Sequence, residues 1–398
     1  WEHTGLLMRH EAARKPSSIG PGPARGVPNL SMDKENLKEA EANNQHVNAT
    51  YGNLKEVKSP PVLVRESSQP ISFSETKWAE GHQQLLECKT LGEKLRLLSK
   101  MRNQMEPIVT RISKEIIDEN HHKWCRLLEG GDRSLEESAL GAGNQDPKHI
   151  PLDVGGVAGG YKFMAEGFLF KLAVDPQLAE HCYMYGGDAP CLDRAAKAAS
   201  QELCGANQFY FYFLHFGIPI QVPWQTIVDY RGFRIVAMPI LPLDGSELIY
   251  GSNDAGKTVK NSDARFSEWM KAACDLNHLC EHRVRNVMLC TGGDVEGHRV
   301  VNDETKKTSL YLLDLARWAP PEHPDITAHL PQPPSGRFYR LMRPEFLQKT
   351  LKGSGLPPIS SDTLTGWGAW QKPEHKSNLR KATHLMCTEA VENARYDI

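Results

Sequence analysis

Hydrophobic positions along this chain recur first at helical spacing and later at strand spacing, with polar stretches between. Residues 1–74 precede both patterns. Gly20-Pro-Gly-Pro23 and a Ser/Asn/Lys/Glu-rich run to Tyr51 offer few apolar anchors and read as disordered. A helical extension is expected over 75–130. Thr90-x-x-Glu93 reads as a capping box ahead of Leu95, Leu98, Met101 and Met105, one stripe at helical spacing. Pro107 is expected to interrupt the helix, and Ile108, Ile112 and Ile116 to resume it. The stripe reads as a face packed on its own domain, with a partner-binding helix as the alternative.

Residues 130–151 are rich in Gly, Ser and Asp and read as a linker. Strands are then expected at 155–161 and 168–173, and a helix at 195–213 running into aromatic residues. A hairpin over 226–229 and 233–241 should turn at Arg231-Gly232. Leu248 to Tyr250 reads as a strand. A helix over 266–279 should point Phe266, Met270 and Leu276 inward, with strands at 283–289 and 310–315. Strands first, then helix and strands mixed, predict an α+β fold with one central mixed domain over 150–350. Residues 351–398 read as a loop-rich tail with one helix over 377–394.

Composition narrows the function classes. Lys+Arg 47 against Asp+Glu 49 gives a net charge of −2, so no strong field draws the chain to DNA or to a membrane surface. Nine cysteines with no C-x-x-C pair argue for reduced thiols, a cytoplasmic setting and no zinc finger. No apolar run is long enough to span a bilayer. The chain starts at Trp1 and is read as a fragment.

The densest chemistry lies between Asp294 and Glu322. Asp294, Glu296 and His298 alternate, a polar hairpin follows, and an apolar strand ends at Asp314, three residues before Arg317. Carboxylates beside a core need partners or a cation. Alternation puts 294, 296 and 298 on one face, so the five side chains are expected to converge. They form either a hydrogen-bonded turn or a site for a cation or phosphate, with Asp294 and Asp314 as the metal candidates. Arg317 is expected to pair with Asp314 or Glu322.

D-x-E-G-H at 294–298, Y-x-L-D-x-x-R at 311–317 and Pro320-Pro321-Glu322 resemble the central domain of the clustered-mitochondria (Clu) family. Asp229-Tyr-Arg-Gly232-Phe-Arg234, 236–242, 249–254 and Arg340-Leu-Met-Arg343-Pro344-Glu345 carry the same resemblance in the same order. It implies a non-enzymatic cytoplasmic binding or scaffold protein without cofactor. By the same resemblance its partners would be proteins and RNA, linked to mitochondrial distribution and to messenger RNA for mitochondrial proteins.

A second order of motifs resembles a degenerate two-lobed protein-kinase-like architecture. A glycine loop at 155–160 precedes Lys171, Glu202 lies in the next helix, and Met238-Pro239 ends a strand like a hinge. His282-Arg283-x-x-Asn286 and Asp314 follow. That resemblance implies nucleotide contacts from Gly159, Gly160, Lys171 and Glu202, with ATP and Mg2+ as cofactors. Val284 stands where the catalytic aspartate belongs, so the alternative is a kinase-like phosphotransferase or, lacking that base, a nucleotide-binding pseudoenzyme.

Gly251-Ser-Asn-Asp-Ala-Gly256-Lys257-Thr258 matches a phosphate-loop pattern, yet turn formers rather than a helix follow it, so no phosphate binding is expected there. The aromatic runs Phe209–Phe213 and Trp367–Trp370 lack basic neighbours and read as core rather than base-stacking platforms.

Overall fold

The computed structural model describes residues 77–128, 149–150 and 161–390, with short breaks at 176, 180–181, 186–188, 244, 255, 303–305, 330–335 and 366–371. The disordered stretch expected over 1–74, nearly all of the 130–151 linker, the 155–160 glycine loop and Trp367–Trp370 lie outside the described residues.

Helix α1 (Lys77–Glu87) leads into α2 (Leu91–Leu128). The capping box forms at their junction: the Glu93 N–H donates to Thr90 Oγ1 at 3.2 Å, and the Thr90 N–H donates to Glu93 Oε2 at 3.0 Å. Pro107 does not break α2, contrary to the sequence expectation. A mid-helix proline costs roughly 3 kcal/mol. Met105 and Val109 are buried on either side of it, and Ile112, Ile116, Ile117 and Trp124 continue the buried stripe. At roughly 1.5–3 kcal/mol for each buried side chain, that stripe outweighs the lost hydrogen bond. Leu95 falls off the stripe and is exposed.

The α2 stripe covers the first of two five-stranded sheets. Its strands are β1 (His149–Ile150), β2 (Lys162–Ala165), β3 (Phe168–Leu172), β7 (Thr226–Tyr230) and β8 (Phe233–Pro239), in the order β1-β2-β3-β8-β7. All neighbours pair antiparallel. Phe163, Phe168, Phe170, Phe233 and Ile235 face α2. The β7–β8 hairpin turns at Arg231 and Gly232, both with positive φ as a tight primed turn requires. A small hairpin, β4 (Gln177–Ala179) with β5 (Cys182–Tyr183), precedes helix α3 (Leu192–Phe216).

The second sheet contains β6 (Ile220–Gln221), β9 (Glu247–Gly251), β10 (Lys260–Asn261), β13 (Glu296–Val301) and β14 (Thr308–Leu313), ordered β10-β9-β13-β14-β6. Helix α4 (Ala264–Leu276) buries Phe266 and Met270 as expected, but Leu276 at its end is exposed. The strand expected over 283–289 is instead a hairpin, β11 (His282–Val284) with β12 (Val287–Leu289), turning at the positive-φ Arg285. The larger core joins α1, α3, α4 and the second sheet to helix α5 (Pro373–Leu385), through Leu379 and Ala382. The fold is α+β.

Candidate ligand-binding site

The sheets bring together side chains far apart in sequence. Lys171 lies on β3 in the first sheet, Glu202 on α3, and Asp314 just past β14 in the second. Asp314 adopts a left-handed conformation (φ 55°) before the short 3-10 turn Leu315–Arg317. Lys171 Nζ lies 3.3 Å from Glu202 Oε1 and 3.9 Å from Asp314 Oδ1. Gln225 also donates to Glu202 Oε1, at 3.2 Å. Lys162 on β2 is the cross-strand neighbour of Lys171 and is buried. Two lysines side by side on one face repel unless anions lie among them.

Exposure separates the three groups. The side chains of Lys171 and Glu202 are 16% and 13% exposed, whereas Asp314 keeps 50%. Asp314 is therefore the group a ligand can reach. Protein crowding raises its pKa to about 7; Lys171 pulls the other way, and Glu202, Glu296 and Asp294 add to the rise. For Lys171, burial favours the neutral amine, but Glu202 and Asp314 outweigh it and raise the pKa. Lys162 is lowered by burial and by Lys171.

The five residues expected to converge sort into separate partnerships. Arg317 donates through Nε and Nη2 to both oxygens of Asp294, each at 2.7 Å. Its third contact is Nη1 to Asp362 Oδ1 at 3.2 Å. Arg317 thus pairs with neither Asp314 nor Glu322, contrary to expectation: the left-handed turn at Asp314 carries its carboxyl toward Lys171, while Arg340 takes Glu322 at 2.8 Å. Glu296 pairs with His298 at 2.9 Å. Gly297 between them lets Phe266 and Tyr250 pack closely on β13, since a Cβ there would meet the Phe266 ring and Tyr250 Cβ at 2.7–2.8 Å.

The family model described as Clustered mitochondria matches residues 77–324. The chain belongs to the Clustered mitochondria family. It is 27% identical over 187 residues to the clustered mitochondria protein homolog of Anopheles gambiae, covering 44% of this chain and 12% of that protein. It is 28% identical to the human homolog over 170 residues (40% of this chain, 12% of that protein). The Xenopus tropicalis homolog is 33% identical over 170 residues, again 40% and 12%. The matched stretch thus spans about an eighth of these curated relatives. No solved structure matches the chain.

Beyond the family match, Asp362 anchors the network around Arg317. Asp362 is wholly buried. Its Oδ2 accepts from His282 Nε2 at 3.1 Å and from the Gly293 N–H at 2.8 Å; its Oδ1 accepts from Arg317 and, at 2.9 Å, from Thr365 Oγ1. Burial alone would raise Asp362, but the His282 hydrogen bond and the Arg317 charge hold its pKa below the usual value. Sequence reasoning missed Asp362 because Ser360-Ser-Asp-Thr363 looks like any polar loop. Gly205 was missed as well: a Cβ there would meet Trp318 at 2.3 Å and the Leu315 carbonyl at 2.6 Å, so glycine lets α3 approach the Arg317 turn.

The phosphate-loop pattern has no cradle. Asp254 Oδ1 accepts the Thr258 N–H at 2.8 Å and Ser252 Oγ accepts the Gly256 N–H at 2.9 Å, so the loop satisfies its own donors. Strand β10 follows it, not a helix. Phe209, Tyr210 and Phe213 are core residues, while Phe211 is exposed. Among the described residues no three His, Cys, Asp or Glu side chains are set to hold a metal ion, and no helix is long and apolar enough to cross a membrane.

Proposed function

We propose that this Clustered mitochondria domain is a binding module for a magnesium-chelated phosphate compound, a nucleoside triphosphate first among them. The observation that carries the reading is Lys171 held between Glu202 at 3.3 Å and Asp314 at 3.9 Å, beside Lys162. Two lysines suit phosphate oxygens, and a half-open carboxylate suits the cation that accompanies them. Magnesium needs only one or two protein carboxylates when phosphates and water supply the rest of its shell. A strand lysine, a helix glutamate and a strand-end aspartate also fit a two-lobed kinase-like reading of the fold. Val284 in place of the catalytic base favours binding over transfer.

At the level of the whole protein, the relatives' name links this chain to mitochondria. We extend that to a cytoplasmic scaffold acting with protein partners in mitochondrial distribution, and with messenger RNA for mitochondrial proteins. Isothermal titration of the full chain with ATP and magnesium tests the site. Binding is expected to need the metal and to weaken at least about tenfold in Lys171→Met, the loss of one charged contact. Equal ATP affinity in wild type and Lys171→Met, or no heat at millimolar ATP, would reject it.

A further inference from the structure

His298 holds a second partner besides Glu296. Its Nε2 stands 2.9 Å from Glu296 Oε2, and its Nδ1 stands 3.1 Å from Ser246 Oγ. Register builds this arrangement. Glu296 and His298 alternate on β13, and β9 pairs with β13 so that Leu248 lies opposite His298. Ser246, just before β9 and two residues before Leu248, is thereby delivered to the imidazole.

The neutral imidazole is the form in which Ser246 can be activated. In the neutral imidazole the carboxylate, which only accepts, assigns the single ring proton to Nε2, donated to Glu296. Nδ1 is left with its lone pair, and the Ser246 hydroxyl donates to it. The imidazole is 9% exposed and Glu296 16%, so water competes poorly for either contact. Ser246 itself is only half-buried and open to a reagent. A hydroxyl on the lone pair of an imidazole, with a carboxylate on the opposite N–H, is the arrangement that activates a serine. The two ring nitrogens exchange roles relative to the serine proteases, and either nitrogen is a competent base.

We propose that Ser246, His298 and Glu296 form a nucleophilic triad acting on carboxylic esters. Ser246 Oγ attacks the ester carbonyl while its proton passes to His298 Nδ1, and Glu296 stabilises the resulting imidazolium. The carbon–alkoxy bond breaks, and the departing alkoxide takes that proton as an alcohol. Water then attacks the acyl-serine and gives a proton to His298; the acyl–Oγ bond breaks, the carboxylic acid leaves, and His298 returns that proton to Ser246 Oγ. No metal, oxidant or nucleotide is consumed, so labelling of Ser246 can succeed or fail independently of ATP binding.

The test is labelling of the folded full-length chain with a fluorophosphonate, which forms a phosphorus–oxygen bond to an activated serine and expels fluoride. Peptide mapping is expected to place the adduct on Ser246, and Ser246→Ala to lose it. His298→Gln should slow labelling by roughly 100-fold or more, the scale of general-base assistance. Circular dichroism checks that His298→Gln is folded; if it is not, Glu296→Gln, which keeps the imidazole, replaces it with an expected slowing of roughly tenfold or more. Absence of a Ser246 adduct in the folded wild type overturns the proposal. So does an unchanged labelling rate in whichever folded variant is used.

Discussion

Two ionic groups centre on Asp314 and Arg317, three residues apart, and they differ in how their charges are partnered. Around Arg317 the charges are locked. Its guanidinium is 7% exposed and Asp362 is fully buried, with donors from His282, Gly293, Arg317 and Thr365 shared between the two oxygens of Asp362. Around Lys171 the charges are in conflict: two lysines face each other, and Asp314 has other carboxylates near it and half its surface open. A buried network whose groups are all satisfied fixes one structure. A network with like charges on neighbouring positions and an open member gains most from an added ion. The first is therefore scaffold in character, and the second is where the proposed site lies.

The largest expected effect breaks the locked group. Asp362→Ala leaves Arg317 with one partner and His282 facing no carboxylate, and should lower unfolding free energy in urea by about 3–5 kcal/mol. A loss under 1 kcal/mol would mean that the two groups do not differ as described. Arg317→Lys keeps the charge but not the two-pronged contact with Asp294, and should cost about 1–3 kcal/mol in the same measurement.

The two groups should also have opposite pH slopes. Asp362 has a lowered folded pKa, so its stabilisation is complete above the unfolded carboxylate value, about 4, and is lost as pH falls below it. Asp314 has a raised folded pKa, so the folded state holds a proton that the unfolded state gives up, and stability declines as pH rises from about 4 to 7. Melting temperatures across pH should show the decline between 4 and 7 flattened in Asp314→Asn. They should show the acid loss flattened in Asp362→Asn, which starts from a lower stability. Solvent access keeps the Asp314 effect modest. The smallest change expected is in Arg102→Ala, whose exposed pair with Glu106 should contribute less than about 0.5 kcal/mol. A larger loss there would show that exposure is a poor guide to which pairs matter here.

Much of this was legible in the residues. Helix α3, the β7–β8 hairpin and β14 lie within a few residues of their expected places because their apolar periods and turn residues are local signals. The capping box at Thr90 is local in the same way. The density of acids at 294–314 is a local signal too, and the Clustered mitochondria resemblance pointed to the right family. Other features carried no local signal. Pro107 reads as a helix break until the sheet beneath α2 is known. The Arg285 turn splits an apolar run that looks continuous.

What the sequence determined by itself was the inventory: which segments are helix or strand, which carboxylates sit beside the core, and which family they belong to. Tertiary structure alone decided the partners. Arg317 could reach several acids, and a single left-handed residue at Asp314 sent one carboxyl to Lys171 and left Arg317 to Asp294 and Asp362. Asp362 lies 45 residues from Arg317 and 80 from His282, and Ser246 lies 52 from His298. Ion pairs and hydrogen bonds act over a few ångströms, so contacts across such separations exist only once the sheets have paired and the chain after Asp314 has turned.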